Sequence, residues 1–197
     1  MKLLNKIILM FCLIMLAEKN YAQEIDLASG NLEILKGEKN INIEFTYEKM
    51  AVGEYSKEKE YVKYKTDDLN KNESGKGDEW AQKWVSSRKE RYEPNFIEAY
   101  TKYSEMTFDS TAKYTLIFKT TFIEPGFQIV VKKKASQVEG SIWLVATANR
   151  TKKLAVISVD RGGGYFRGGS FDFAGRIAEV YAVTGKKVGM LVKKSTK

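Results

Sequence analysis

The stretch "VEGSIWLVATANRTKKLAVISVD" (residues 138–160) decides the fold. Residues 138–148 are the most apolar run outside the N-terminus and predict a central strand. "NRTK" (149–152) is a polar turn, and 153–160 is the returning strand. Upstream, "KYTLIFKTTFI" (113–123) alternates Tyr114, Leu116, Phe118, Thr120 and Phe122 against Thr115, Ile117, Lys119, Thr121 and Ile123, the period of a strand. Pro125 and Gly126 take the central positions of a type II turn in "EPGF" (124–127), and "FQIVVKKK" (127–134) continues as a strand. Four strands with short connections imply antiparallel pairing, because parallel neighbours need long crossovers.

The remaining elements frame this block. "INIEFTYE" (41–48) alternates as a half-buried strand, and "LEIL" (32–35) before it suggests a short strand ending in a turn at Gly37. Residues 57–69 carry a thin apolar stripe within a charged run and predict a short exposed helix. Residues 78–106 predict a longer helix, with Asp78 as cap and Trp80 and Trp84 at i,i+4. Pro94 calls for a break near Glu93, after which Phe96, Ala99, Tyr100 and Tyr103 form the inward stripe. The last helix, 171–194, sets a bulky row (Phe173, Ile177, Val180, Thr184, Val188, Leu191) beside a small one (Ala174, Ala178, Ala182, Gly185, Gly189), which suits close packing on a sheet. Gly185 and Gly189 predict fraying or a kink after Thr184. The sum is an α+β two-layer sandwich, a mostly antiparallel sheet of about five strands with helices packed on it, in one domain spanning 23–197.

Residues 1–22 read as a secretory signal peptide, with an uncleaved N-terminal anchor as the alternative: Lys2 and Lys6, an apolar run over 7–16, and small Ala22 at the cut. The run is shorter than the roughly 20 residues a membrane span needs. Met10 and Phe11 before Cys12 do not fit a lipoprotein signal. The protein is therefore expected to be exported to the periplasm or beyond, including association with the outer membrane, and to keep no transmembrane segment once processed.

Export also sets the chemistry. The chain has no His, and its one cysteine, Cys12, leaves with the signal. That excludes disulfides, Cys/His zinc sites, His-based nucleophilic triads and imidazole switching. No metal or other cofactor is expected. Catalysis is left to carboxylates, Lys, Tyr or Ser-Lys, and no spacing marks a pair of them. The formal charge of +8 falls to +6 after cleavage and favours acidic glycans, anionic lipid headgroups or an envelope protein as partners. Nucleic acid is not expected.

"RGGGYFRGGSFDFAGR" (161–176) concentrates glycine and arginine before the last helix. It lacks the Gly-Lys-Ser/Thr of a phosphate loop and the βαβ context of a dinucleotide fingerprint, and two RGG copies in an exported chain do not make an RNA segment. Its glycines suit a chain reversal, with Ser170 or Asp172 as cap and an Asp172–Arg176 pair at i,i+4. Arg161 and Arg167, with the amides at the helix start, are candidates for small-anion binding with Ser170, Asp172 and Arg176. Trp80 and Trp84 are candidates for a sugar-stacking surface, although helical spacing fits core packing better. "VKKK" (131–134) reads as a strand end guarded by lysines rather than a polyanion site.

"ILKGEKNINIEFTYEKMAVGEY" (34–55), "GKGDEWAQKWVSSRKERYEPNF" (75–96), "YTLIFKTTFIEPGF" (114–127) and "GRIAEVYAVTGKKVG" (175–189) resemble, in order, a group of uncharacterised secreted proteins of Gram-negative bacteria. The resemblance covers most of the processed chain and implies export without an established activity. In layout alone the chain is similar to α/β sandwiches of periplasmic envelope-assembly proteins. The expected function is a non-enzymatic periplasmic or envelope-associated binding or assembly module. The alternatives are a carboxylate- or lysine-dependent enzyme acting on envelope glycans, and anion binding at the Gly/Arg loop.

Overall fold

The computed structural model of the chain describes residues 23–129, 132–163 and 172–197. In order come β1 (Ile25–Gly30), a 3-10 turn (Glu33–Leu35), β2 (Asn40–Thr46), β3 (Ala51–Val52), α1 (Glu58–Asn72), α2 (Lys76–Ser87), a π turn (Arg88–Tyr92) and α3 (Glu93–Ser104). Then follow β4 (Thr107–Phe108), β5 (Tyr114–Glu124), β6 (Phe127–Ile129), β7 (Lys132–Lys134), β8 (Gln137–Ala146), β9 (Asn149–Gly163) and α4 (Phe173–Thr196). The main sheet runs β1-β9-β8-β5-β2-β4, with β3 also on β5. The β1/β9, β9/β8 and β8/β5 pairs are antiparallel, whereas β2 and β3 run parallel to β5. The fold is α+β: helices on a mostly antiparallel sheet.

The sheet has seven strands rather than about five, because β1 and the two-residue β3 and β4 add to it. Residues 32–35 contribute a 3-10 turn instead of a strand, and Leu35 is buried there. The β2–β5 pair is parallel, and the helices between them supply the long crossover this requires. Phe127–Ile129 and Lys132–Lys134 do not join the main sheet. β6 and β7 pair only with each other, and β8 takes the place beside β5. The cause lies in the turn: Gly126 adopts φ +62, and a Cβ there would meet the Lys134 carbonyl oxygen at 2.5 Å. The buried Glu124 carboxylate fastens this excursion by accepting from the Gly126 N–H at 3.0 Å and pairing with Lys134 at 2.6 Å. The β8–β9 reversal is tighter than expected. Ala146 opposes Asn149, so Thr147 and Ala148 form the turn and "NRTK" opens β9.

Register separates the two faces. Leu116, Phe118, Ile142, Leu144, Ala155 and Ile157 are buried in the core, together with Ile41 and Ile43 of β2. All four helices pack into this same cluster, through Tyr61 of α1, Trp84 of α2, Phe96 and Tyr100 of α3, and Ile177, Tyr181 and Val188 of α4. Phe118 meets the rings of Phe96 and Tyr181 at 5.5 Å each, and the Tyr181 hydroxyl bonds Thr120 at 2.7 Å. The alternation read along 113–123 holds as far as Thr120. A bulge between Thr120 and Phe122 then reverses it, so Ile123 faces the core opposite Val138. Gly140 permits this, since a Cβ there would lie 2.1 Å from the Lys119 carbonyl oxygen.

Helices α2 and α3 join without a loop. Pro94 lacks an amide hydrogen and crowds the turn before it. The backbone answers with a π turn, in which the Glu93 N–H reaches back to the Arg88 carbonyl. The expected break is therefore a widened turn, with Pro94 in the first turn of α3. Asp78 does not cap α2; Gly75, at φ +87, holds that position, and Asp78 accepts from Asn70 at 3.0 Å. Helix α4 runs unbroken through Gly185 and Gly189.

Candidate functional site

The expected anion site is built differently from its sequence reading. Arg161, on β9, pairs with Glu139 at 2.5 Å, and its guanidinium lies 3.7 Å from the Phe122 ring centre. The bulges in β5 and β9 beside Glu139 stack these three side chains. Asp172 caps α4 by accepting from the Ala174 N–H at 3.1 Å, as expected. Its ion pairs, however, are with Arg91 and, at 3.7 Å, Lys83. Arg176 is buried and donates to the carbonyls of Pro125, at 3.3 Å, and Gly126, at 3.0 Å, in place of the expected i,i+4 pair with Asp172. Arg167 and Ser170 lie outside the described residues. A carboxylate of the protein's own thus occupies the positive end of α4, where an external anion would bind.

Burial pushes the Asp172 carboxyl up, but the Arg91 guanidinium, the Lys83 ammonium and the Gly175 N–H outweigh it and hold the group below the usual carboxylate range. A lowered carboxyl stabilises the fold above its unfolded value, near 4, and that stability is lost as pH falls through the folded value. Asp172→Ala is expected to cost about 1–2 kcal/mol at pH 7, while Asp172→Asn keeps most of the cap. Urea midpoints at pH 7 and at about pH 3 check this, with the gap between wild type and Asp172→Asn closing in acid.

Trp80 and Trp84 belong to the interior rather than to a sugar-stacking surface. Trp84 is 1% exposed and stacks on half-buried Trp80 at 5.6 Å, with Phe173 and Tyr61 closing the cluster.

The third tryptophan, which the sequence reading passed over, faces the other way. Ile142 and Leu144 point into the core, so Trp143 between them lies on the opposite face of β8. It sits in a half-buried cross-strand row, Ile117–Trp143–Val156, with Lys119–Ser141–Ser158 alongside. The Lys119 ammonium lies 4.1 Å from the indole centre and that of Lys153 3.7 Å. The indole N–H donates to the Ser141 hydroxyl at 3.1 Å. Neither lysine has a carboxylate within ion-pair distance among the described residues, whereas the cations toward the rims, Arg150 and Arg161, are matched by Glu44 and Glu139. Cation–π contact holds an ammonium without neutralising it, contributing about 0.5–1 kcal/mol at exposed sites. This face therefore presents two positive charges flanking one indole. The row Thr115, Ile117, Lys119 was legible in the alternation. Its meeting with Trp143 and Lys153 depended on register.

The described carboxylates with shifted ionisation all move down. The Arg150 guanidinium lowers Glu44, Lys76 lowers Glu73, Lys193 lowers Glu105, and the Thr111 hydroxyl and amide lower Asp109. These are shifts of structural pairs; a general acid needs the opposite direction. Among the described residues no cluster of three or more metal-ligating side chains is present. No described helix is long and apolar enough to cross a membrane.

The chain folds in the α+β class, with four helices, α2 and α3 running continuously through the π turn, on a seven-stranded sheet. No protein-family model, curated protein or solved structure matches it.

Proposed function

We propose that the protein is an exported, envelope-associated binding module without catalytic activity, and that the sheet face carrying Trp143 binds a linear acidic glycan. The observation that carries this reading is the Lys119–Trp143–Lys153 arrangement, with two ammoniums held on one indole and, among the described residues, no carboxylate in ion-pair distance of either. The row crosses three adjacent strands, which suits an extended polymer. Sugar rings pack on the flat apolar patch of Ile117, Trp143 and Val156 while carboxylate or phosphate groups meet the lysines. The signal-like N-terminus and the basic balance of +8 support the envelope as its place of work. The absence of His from the whole chain, and of Cys beyond Cys12, supports binding over catalysis.

Titration with a soluble polyuronate tests this. Lys119→Ala/Lys153→Ala is expected to bind about tenfold more weakly, the sum of two exposed charge contacts of about 0.5–1 kcal/mol each. Wild-type affinity should fall as salt rises from low to physiological levels. Unchanged affinity in the double variant, or binding only to vesicles of anionic lipid, would overturn the glycan reading.

A further inference from the structure

A cut after Ala22 would make Gln23 the first residue of the domain, and in the full-length chain Gln23 has an unusual setting. It is 3% exposed. Its side-chain amide Nε2 donates to Thr184 Oγ1 at 2.9 Å, across to α4. Thr184 is fully buried, and its hydroxyl lies within donating distance of both the Gln23 Oε1, at 3.0 Å, and the Val180 carbonyl, at 2.8 Å, while its oxygen accepts from Nε2. The Gln23 carbonyl accepts from the Lys187 ammonium one turn further along α4. Two consecutive turns of the helix thus hold both ends of this residue.

An N-terminal glutamine can close on itself. The unprotonated α-amine, whose ordinary pKa is about 8, attacks its own Cδ. The Nα–Cδ bond forms and the Cδ–Nε2 bond breaks. Ammonia leaves with the proton shed by the α-nitrogen, and no other reactant is needed. The product is a five-membered lactam without the Nε2 donor. Closure requires the side chain to curl back onto its own backbone nitrogen. A side chain bonded to Thr184 points its amide at another element. We propose that Gln23 is a lactam-forming N-terminus whose cyclisation is suppressed by docking on Thr184, so that the modification marks chains that cyclise before docking or open afterwards. This rests on the export reading, with its cut after Ala22.

Mass spectrometry of the N-terminal peptide from the exported protein tests both statements separately. A peptide beginning at Gln23 is expected; any other start overturns the cut and this proposal together. On incubation at neutral pH the folded protein is expected to lose ammonia roughly tenfold or more slowly than the same protein unfolded in urea, because a docked group reacts only through local opening. Thr184→Val, folded, should approach the unfolded rate. A Gln23 start with equal rates in folded and unfolded wild type, or with the lactam complete in freshly exported folded protein, overturns the suppression alone. So does a folded Thr184→Val protein that cyclises no faster than wild type. If that variant does not fold, the two wild-type rates decide.

Discussion

Replacing Trp84 with alanine is expected to cost about 3–5 kcal/mol, the loss typical of a fully buried large aromatic. The indole is 1% exposed and fixes three parts of the molecule at once. Its faces and edges meet Trp80 of its own helix, Tyr61 of α1 at 5.1 Å and Phe173, the first residue of α4, at 5.5 Å. Its N–H donates to Glu58 at the start of α1 at 2.5 Å, and the same carboxylate pairs with Arg88. The Arg88 guanidinium in turn lies 4.3 Å from the Tyr47 ring centre. Helix α1 has no fully buried residue of its own, so this cluster fastens it together with Val62 on the core and the close approach of Gly77 to the Thr66 carbonyl. Trp84→Phe keeps an aromatic ring and loses the N–H donor, and should cost about 1–2 kcal/mol. Urea unfolding of the three proteins measures both steps. Against a typical domain stability of about 5–15 kcal/mol, the alanine variant should lie near or below its unfolding threshold at 37 °C. A cost below about 1 kcal/mol would mean that the cluster packs on α2 without supporting α1 and α4.

The two-layer architecture was legible because its signals are local. Strand alternation over 113–123 and the apolar run at 138–148 named the central strands, and the spacing over 171–194 named the last helix. What escaped depends on contacts distant in sequence. Nothing local says that β6 and β7 leave the sheet; the cause is Gly126 against Lys134 and the Glu124 carboxylate beneath them. Nothing local gives β2 and β5 a parallel register, since both strands have the same alternation that antiparallel strands show. The charged site residues were misassigned for a related reason. Asp172 and Arg176 stand at i,i+4, a true neighbour relation on a helix. Arg91, 81 residues upstream, still takes Asp172. A partly buried long-range pair prevails over an exposed local one worth only a few tenths of a kcal/mol. Trp143 was hidden by its own strand. The run 138–148 is apolar enough to read as buried on both faces, and only the half-buried cross-strand row shows that Trp143 faces away from the core.

The small row on α4 gives the sharpest contest between propensity and packing. Alanine in place of a helical glycine normally stabilises by about 0.5–1 kcal/mol. The row was expected to lie on the sheet. It lies instead on α3, where a Cβ at Gly185 would meet the Phe96 carbonyl oxygen at 2.3 Å and one at Gly189 would meet the Tyr100 carbonyl oxygen at 2.7 Å. The steps 185 to 189 and 96 to 100 match, so the two helices approach through successive i±4 positions. This approach also explains why α4 stays unbroken at its two glycines: the backbone of α3 lies against each of them. Backbone atoms cannot rotate aside as a side chain can, so either substitution must move a helix. Gly185→Ala is therefore expected to destabilise by about 1–3 kcal/mol, the usual cost of overpacking, in spite of its better helix propensity. Gly185→Leu should cost more, because no open space receives the added carbons. Since Tyr181 and Phe96 both pack on Phe118, a helix displaced at Gly185 also disturbs the centre of the core. Urea midpoints and near-ultraviolet circular dichroism, which reports the packing of those rings, should fall together. A Gly185→Ala protein more stable than wild type would show that α3 and α4 stand further apart than a glycine contact requires.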